Sequence, residues 1–86
     1  MQVRIPTPLR SYTDGASTVE ATGTTLDELL RDIDTTCPGL RFRVVDEQGA
    51  LRRHMNIFVN QERVRDLSTA IEPGDEVVLM QALSGG

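Results

Sequence analysis

The sequence predicts an α+β domain, one mixed β-sheet packed on one main helix. Three observations predict it. Short runs of alternating apolar and polar residues stand near both ends and in the middle of the chain. One stretch, Leu26 to Ile33, carries apolar residues at helical spacing. Turn-forming Asp14-Gly15, Pro38-Gly39, Asn60-Gln61 and Pro73-Gly74-Asp75 punctuate the rest. A chain of 86 residues supports a single domain, expected over 1–82, with a flexible Gly-Gly tail over 83–86.

The first strand is expected over Gln2–Pro8, with Val3 and Ile5 on one face; Pro6 and Pro8 remove backbone donors and should fray it. Asp14-Gly15 then turns the chain through a loose loop at 11–16. Ser17–Ala21 returns as a second strand with Val19 and Ala21 inward. Thr25 followed by Glu28 reads as a capping box that opens the helix. Leu26, Leu29, Leu30 and Ile33 line its inner face, and Asp27, Glu28, Arg31 and Asp32 its outer one. Cys37-Pro38-Gly39 ends it, because proline cannot continue a helix. Residues 40–51 read as a short helical turn and a loop.

His54–Asn60 alternates cleanly, with Met55, Ile57 and Val59 opposite His54, Asn56 and Phe58. Asn60-Gln61 turns into a short strand at Glu62–Val64, Leu67–Ile71 is expected to form one more helical turn, and Glu76–Ala82 is the last strand. The order strand, strand, helix, strand, short strand, strand matches a β-grasp layout, with the first and last strands side by side at the centre of the sheet.

Composition narrows the function. Tyr12, Phe42 and Phe58 are the only aromatic residues, so Val, Ile and Leu must build the core. A net charge of -4 and a pI near 4.8 argue against nucleic acid, whose phosphates need a basic surface. All nine positive side chains are arginine, so no lysine here can accept an isopeptide bond. The single cysteine, Cys37, cannot form an internal disulfide. No signal peptide and no membrane span are expected, which makes the cytoplasm the expected compartment.

An internal catalytic site is hard to assemble from these residues. Cys37 lies at a helix C-terminus, where the dipole disfavours a thiolate, and reads as a packed thiol. His54 is distant from it in sequence and reads as a surface residue. No metal-ligand cluster or phosphate loop is present, so neither a metal nor a bound cofactor is expected.

The last residues are different. Leu83-Ser84-Gly85-Gly86 follows directly on the last strand. Glycines without a Cβ can enter a channel too narrow for other residues. Five residues from Ala82, extended at about 3.3 Å each, reach about 16 Å beyond the fold. The Gly86 carboxylate, with a reference pKa of about 3.5, is ionised and able to attack an activated phosphate. Taken alone, the pair reads equally well as a threading tail or as a frayed end with a chance Gly-Gly.

Fold and tail together resemble the ubiquitin-like sulfur carriers: the small subunit of molybdopterin synthase, the thiamin sulfur carrier, and the thiocarboxylate carrier of cysteine biosynthesis. The resemblance spans nearly the whole chain. It is carried by Ile5-Pro6-Thr7, Thr25-Leu26, Asn56-Ile57-Phe58-Val59-Asn60, Pro73-Gly74-Asp75-Glu76-Val77 and Gly85-Gly86. The first and third strings are most similar to the cysteine-biosynthesis carriers. The resemblance implies a carrier rather than an enzyme. Its reacting group is the Gly86 carboxylate, adenylated at the expense of ATP by a ubiquitin-activating-type enzyme and then converted to a thiocarboxylate by a sulfur donor. A sulfur-accepting biosynthetic enzyme would take the sulfur, and a C-terminal hydrolase is a further candidate partner. The acceptors it leaves open run from cysteine through molybdopterin, thiamin and transfer RNA to thiolated secondary metabolites.

Docking needs a surface too. If Val77 and Leu79 face the core, alternation turns Val78 and Met80 outward, and the family's strand pairing adds Phe58 beside them. These three, with Ala82, Leu83, Ser84 and Gly85 of the tail, are the expected partner-binding residues. Two other readings stand beside the carrier: a modifier joined to target lysines through Gly86, and a passive β-grasp binding domain with an irrelevant tail.

Overall fold

Proline decides how the chain leaves its first strand. In the computed structural model, which describes residues 1–82, strand β1 covers only Gln2–Arg4. The expected strand to Pro8 and loose loop at 11–16 are replaced by a 3₁₀ helix over Thr7–Thr13, with proline at its start. A missing N–H is a defect in a ladder but none in a first helical turn, where that donor has no partner anyway. Leu9 and Thr13 are buried by this segment, and Asp14 (φ 54) and Gly15 (φ 85) turn the chain out of it. Strand β2, Thr18–Glu20, then pairs antiparallel with β1, Val3 opposite Val19.

Helix α1 runs Leu26–Thr36. Thr25 Oγ1 accepts from the Glu28 amide at 3.2 Å, as a cap should. The Glu28 carboxylate reaches one residue further back than a capping box requires, accepting from the Thr24 amide at 2.9 Å and its hydroxyl at 2.7 Å. Gly23 is needed just before: a Cβ there would lie 2.6 Å from the Leu29 amide nitrogen. Leu26, Leu29, Leu30 and Ile33 are buried, the inner stripe that the spacing predicts. Gly39 (φ 94) leads into the short helix α2, Leu40–Val44.

Strand β3, Met55–Val59, turns through Asn60 (φ 51) and Gln61 (φ 71) into β4, Glu62–Val64. Two consecutive positive φ angles suit the right-handed twist of a two-residue hairpin. The helical turn expected at Leu67–Ile71 is absent; the segment forms a turn and a single bridge from Ala70 to Thr25. Its carbonyls have another use. The Leu67 and Thr69 oxygens accept from the Asp27 and Leu26 amides at 2.9 and 3.1 Å. These donors of the first turn of α1 have no partner within the helix, and a segment that serves them cannot use the same carbonyls for a helix of its own.

Strand β5, Val77–Gln81, runs parallel to β1 and antiparallel to β3. The sheet order is β2-β1-β5-β3-β4, the β-grasp arrangement with first and last strands central. One face packs on α1 through Val3, Ile5, Met55, Ile57, Val77 and Leu79. Phe42 and Phe58 are outside this core, which is aliphatic as the composition requires. The expected tail at 83–86 lies outside the described residues.

Candidate functional site

Two sequence strings meet at one end of the sheet. Asn60, at the close of β3, donates through Nδ2 to Asp75 Oδ1 at 3.0 Å, and its Oδ1 accepts from the Glu76 amide at 2.9 Å. The Asn60 amide donates in turn to the Glu76 carbonyl at 2.8 Å. Asp75 also accepts from the Glu72 amide at 2.8 Å, closing the turn at Gly74 (φ 97). The Asn60 donor, followed by the Glu72 amide, stabilises the charged Asp75 and lowers its pKa. The Val-Asn and Gly-Asp strings are therefore one latch, which sets the register of β5 against β3.

That register fixes what β5 presents. Val77 and Leu79 point into the core, while Phe58 and Val78 stand opposite each other on the outer face, with Met80 next along. Met80 is 51% exposed; Phe58 and Val78 are half-buried. Together with Gln61 and Glu76 they line a shallow concavity of about 270 Å³. The apolar patch expected from alternation is thus a contiguous surface among the described residues.

The same register brings the chain out of the fold at a defined point. The exposed Ala82 donates its amide to the His54 carbonyl at 2.7 Å, one position beyond the last ladder pair, Met55 with Gln81. His54 is on the surface, as expected, and marks the root of the tail. Leu83, Ser84, Gly85 and Gly86 lie outside the described residues. Cys37 is a buried free thiol. Among the described residues no group of three His, Cys, Asp or Glu could hold a metal.

A larger concavity lies elsewhere, about 710 Å³ at the start of α1. Its charges are committed to one another and to the backbone. Asp27 accepts from Arg31 at 2.9 Å and Arg41 at 3.2 Å, and these arginines, Arg31 first, lower its pKa. Arg65 spends its guanidinium on the carbonyls of Met55, Leu51 and Arg52. This network holds the loops to the helix.

Sequence reasoning missed Phe42. It lies in the short helix α2 but is 57% exposed, with the Arg52 guanidinium 4.7 Å from its ring centroid. A helix of five residues has too few turns for its pattern to reveal which side faces out.

The sequence and the fold have counterparts among known proteins. The model of the ThiS family matches residues 3–86. The sulfur carrier protein CysO of Mycobacterium tuberculosis is 42% identical, over 98% of this chain and 96% of the relative. A chain of the Amycolatopsis orientalis BexX/CysO complex superposes with a TM-score of 0.92 at 38% identity, covering 99% of this chain and 98% of that one. Crystalline M. tuberculosis CysO gives 0.90 at 40% identity over 95% and 98%. SAMP1 of Haloferax volcanii, a small archaeal modifier protein, gives 0.80 at 30% identity over 100% and 98%. The chain belongs to the ThiS family of ubiquitin-like sulfur carriers.

Proposed function

We propose that the chain carries sulfur as a thiocarboxylate on Gly86, for biosynthesis of the cysteine or thiolated-metabolite type. The observation that carries this reading is the reach of the family match, which runs through the Gly85-Gly86 pair to residue 86. The chemistry is set by the carboxylate itself, a poor electrophile. Its oxygen attacks the α-phosphorus of ATP in an activating enzyme, and pyrophosphate leaves. Sulfide then adds to the acyl carbon and expels AMP, giving the thioacid, which loses its proton. With an enzyme persulfide as donor, a thiol must afterwards cleave the S–S bond. The resulting anion is a soft nucleophile that displaces the leaving group of an activated carbon in a recipient enzyme. Water then cleaves the acyl–sulfur bond, leaving the sulfur on the product and restoring the Gly86 carboxylate.

The carrier supplies no acid, base or metal in this scheme; the partners' sites position the tail and stabilise charge. Phe58, Val78 and Met80 form the docking patch, Leu83 adds an apolar anchor, and Ala82, Ser84 and Gly85 thread the partner's channel. BexX, found with CysO in the Amycolatopsis complex, is the kind of partner such a surface would meet. A substitution in the tail tests the scheme. Gly85→Ala should leave thermal stability unchanged, since the residue follows the last strand, yet slow ATP–pyrophosphate exchange by the activating enzyme because a Cβ enters the channel. Equal exchange rates for both proteins would refute it.

The similarity to SAMP1 favours a second reading, conjugation to target lysines through Gly86. The activation step is shared. High-mass conjugates that persist when sulfur donors are removed would select the modifier.

A further inference from the structure

The exit of the chain is bordered by charge of the sign opposite to the whole. The protein carries -4, yet Arg43 and Arg52 stand beside His54, whose carbonyl accepts the Ala82 amide, and Arg53 lies between Arg52 and His54 in the chain. Phe42, Arg43, Arg52 and His54 line a concavity of about 250 Å³ there. Arg52 is held in place: its Nε donates to the Phe42 carbonyl at 2.8 Å while its guanidinium lies over the Phe42 ring. Arg43 and Arg53 are exposed. Among the described residues none of these three arginines makes an ion pair, whereas Arg31 and Arg41 both pair with Asp27. The nearby Asp46 turns its Oδ1 to the Gln48 and Ala50 amides of its own loop, at 2.9 and 3.0 Å.

We propose that Arg43, Arg52 and Arg53 form a cationic rim that binds an Asp- and Glu-rich border around the channel of the activating enzyme. The inference rests on the proposed function, in which that enzyme takes in residues 83–86 and so must press against the surface around Ala82. An extended polyanion or an anionic membrane fits poorly, because the thirteen acidic residues of the chain outnumber its nine arginines and would repel it. A local acidic border fits, since screening confines the attraction to about 8 Å at physiological salt. The rim contributes orientation and capture; the Phe42 ring and carbonyl hold the Arg52 guanidinium in place, and Asp46, close enough for its charge to be felt, makes no ion pair with it.

Steady-state activation by the cognate enzyme, with the carrier as varied substrate, tests the rim. Arg43→Glu/Arg53→Glu should raise KM about tenfold at low salt, with kcat within about twofold, and the gap should narrow as ionic strength rises. Arg53→Gln should raise it by a smaller factor. Arg31→Glu, a charge reversal on helix α1, should leave KM near that of the parent. Parent-like KM for the double variant, an equal rise for Arg31→Glu, or a loss confined to kcat would overturn the rim while the carrier reading stands. Failure of the parent protein to be activated at any concentration would sink both.

Discussion

Strands β3 and β5 carry two apolar surfaces with opposite fates. Met55, Ile57, Val77 and Leu79 on the inner face are buried against α1. Phe58, Val78 and Met80 on the outer face are equally apolar, yet half the surface of Met80 is open to solvent. Residue chemistry does not separate the two rows; the helix does. Burial on the inside stabilises the fold, and the outer row keeps the water-exposed area proposed above as the docking patch.

The strongest way to break this contrast is on the inner face. Ile57→Ala should cost about 2–5 kcal/mol, because the fully buried side chain leaves a cavity under α1. Urea denaturation measures it, and a loss below about 1 kcal/mol would place Ile57 outside the supporting core. On the outer face the order should invert. Phe58→Ala should weaken binding to the activating enzyme about tenfold while costing no more than about 1 kcal/mol of stability. Unchanged affinity with a large stability loss would make Phe58 a core residue.

A gentler change sharpens the contrast by loosening the latch that aligns the two strands. Asn60→Gly tolerates the positive φ but removes the two side-chain bonds, to the Asp75 carboxylate and the Glu76 amide, while keeping the backbone bond to the Glu76 carbonyl. It should lower Tm by about 4–8 °C at neutral pH. Because the latch depresses the Asp75 pKa, its contribution is complete above the unfolded carboxylate pKa of about 3.9 and fades as pH falls through the lower folded value. The Tm difference between parent and variant should therefore shrink below about pH 4; a constant gap would mean that Asn60 acts without the Asp75 charge.

Where one period ran unbroken, the sequence was legible. The alternation of His54–Asn60 and Glu76–Ala82 placed both faces of β3 and β5, and the Leu26–Ile33 spacing placed the inner stripe of α1. What was not legible depends on partners distant in the chain. Leu67–Ile71 looks helical locally, but its carbonyls are claimed by the first turn of α1, about 40 residues earlier. Pro6 and Pro8 interrupt a strand in the local pattern, yet the same missing donors suit the start of a helix. The Asn60 and Asp75 strings were visible, whereas the latch between them, and the arginines gathered at the tail root, exist only once β3 and β5 are paired.

The direct test is the mass of the intact chain after incubation with its adenylating enzyme, ATP and a sulfide source. The account predicts replacement of one oxygen by sulfur, localised to Gly86 by fragmentation and abolished by deleting that residue. An unchanged mass under conditions where the same enzyme sulfurises another carrier of the family would contradict it.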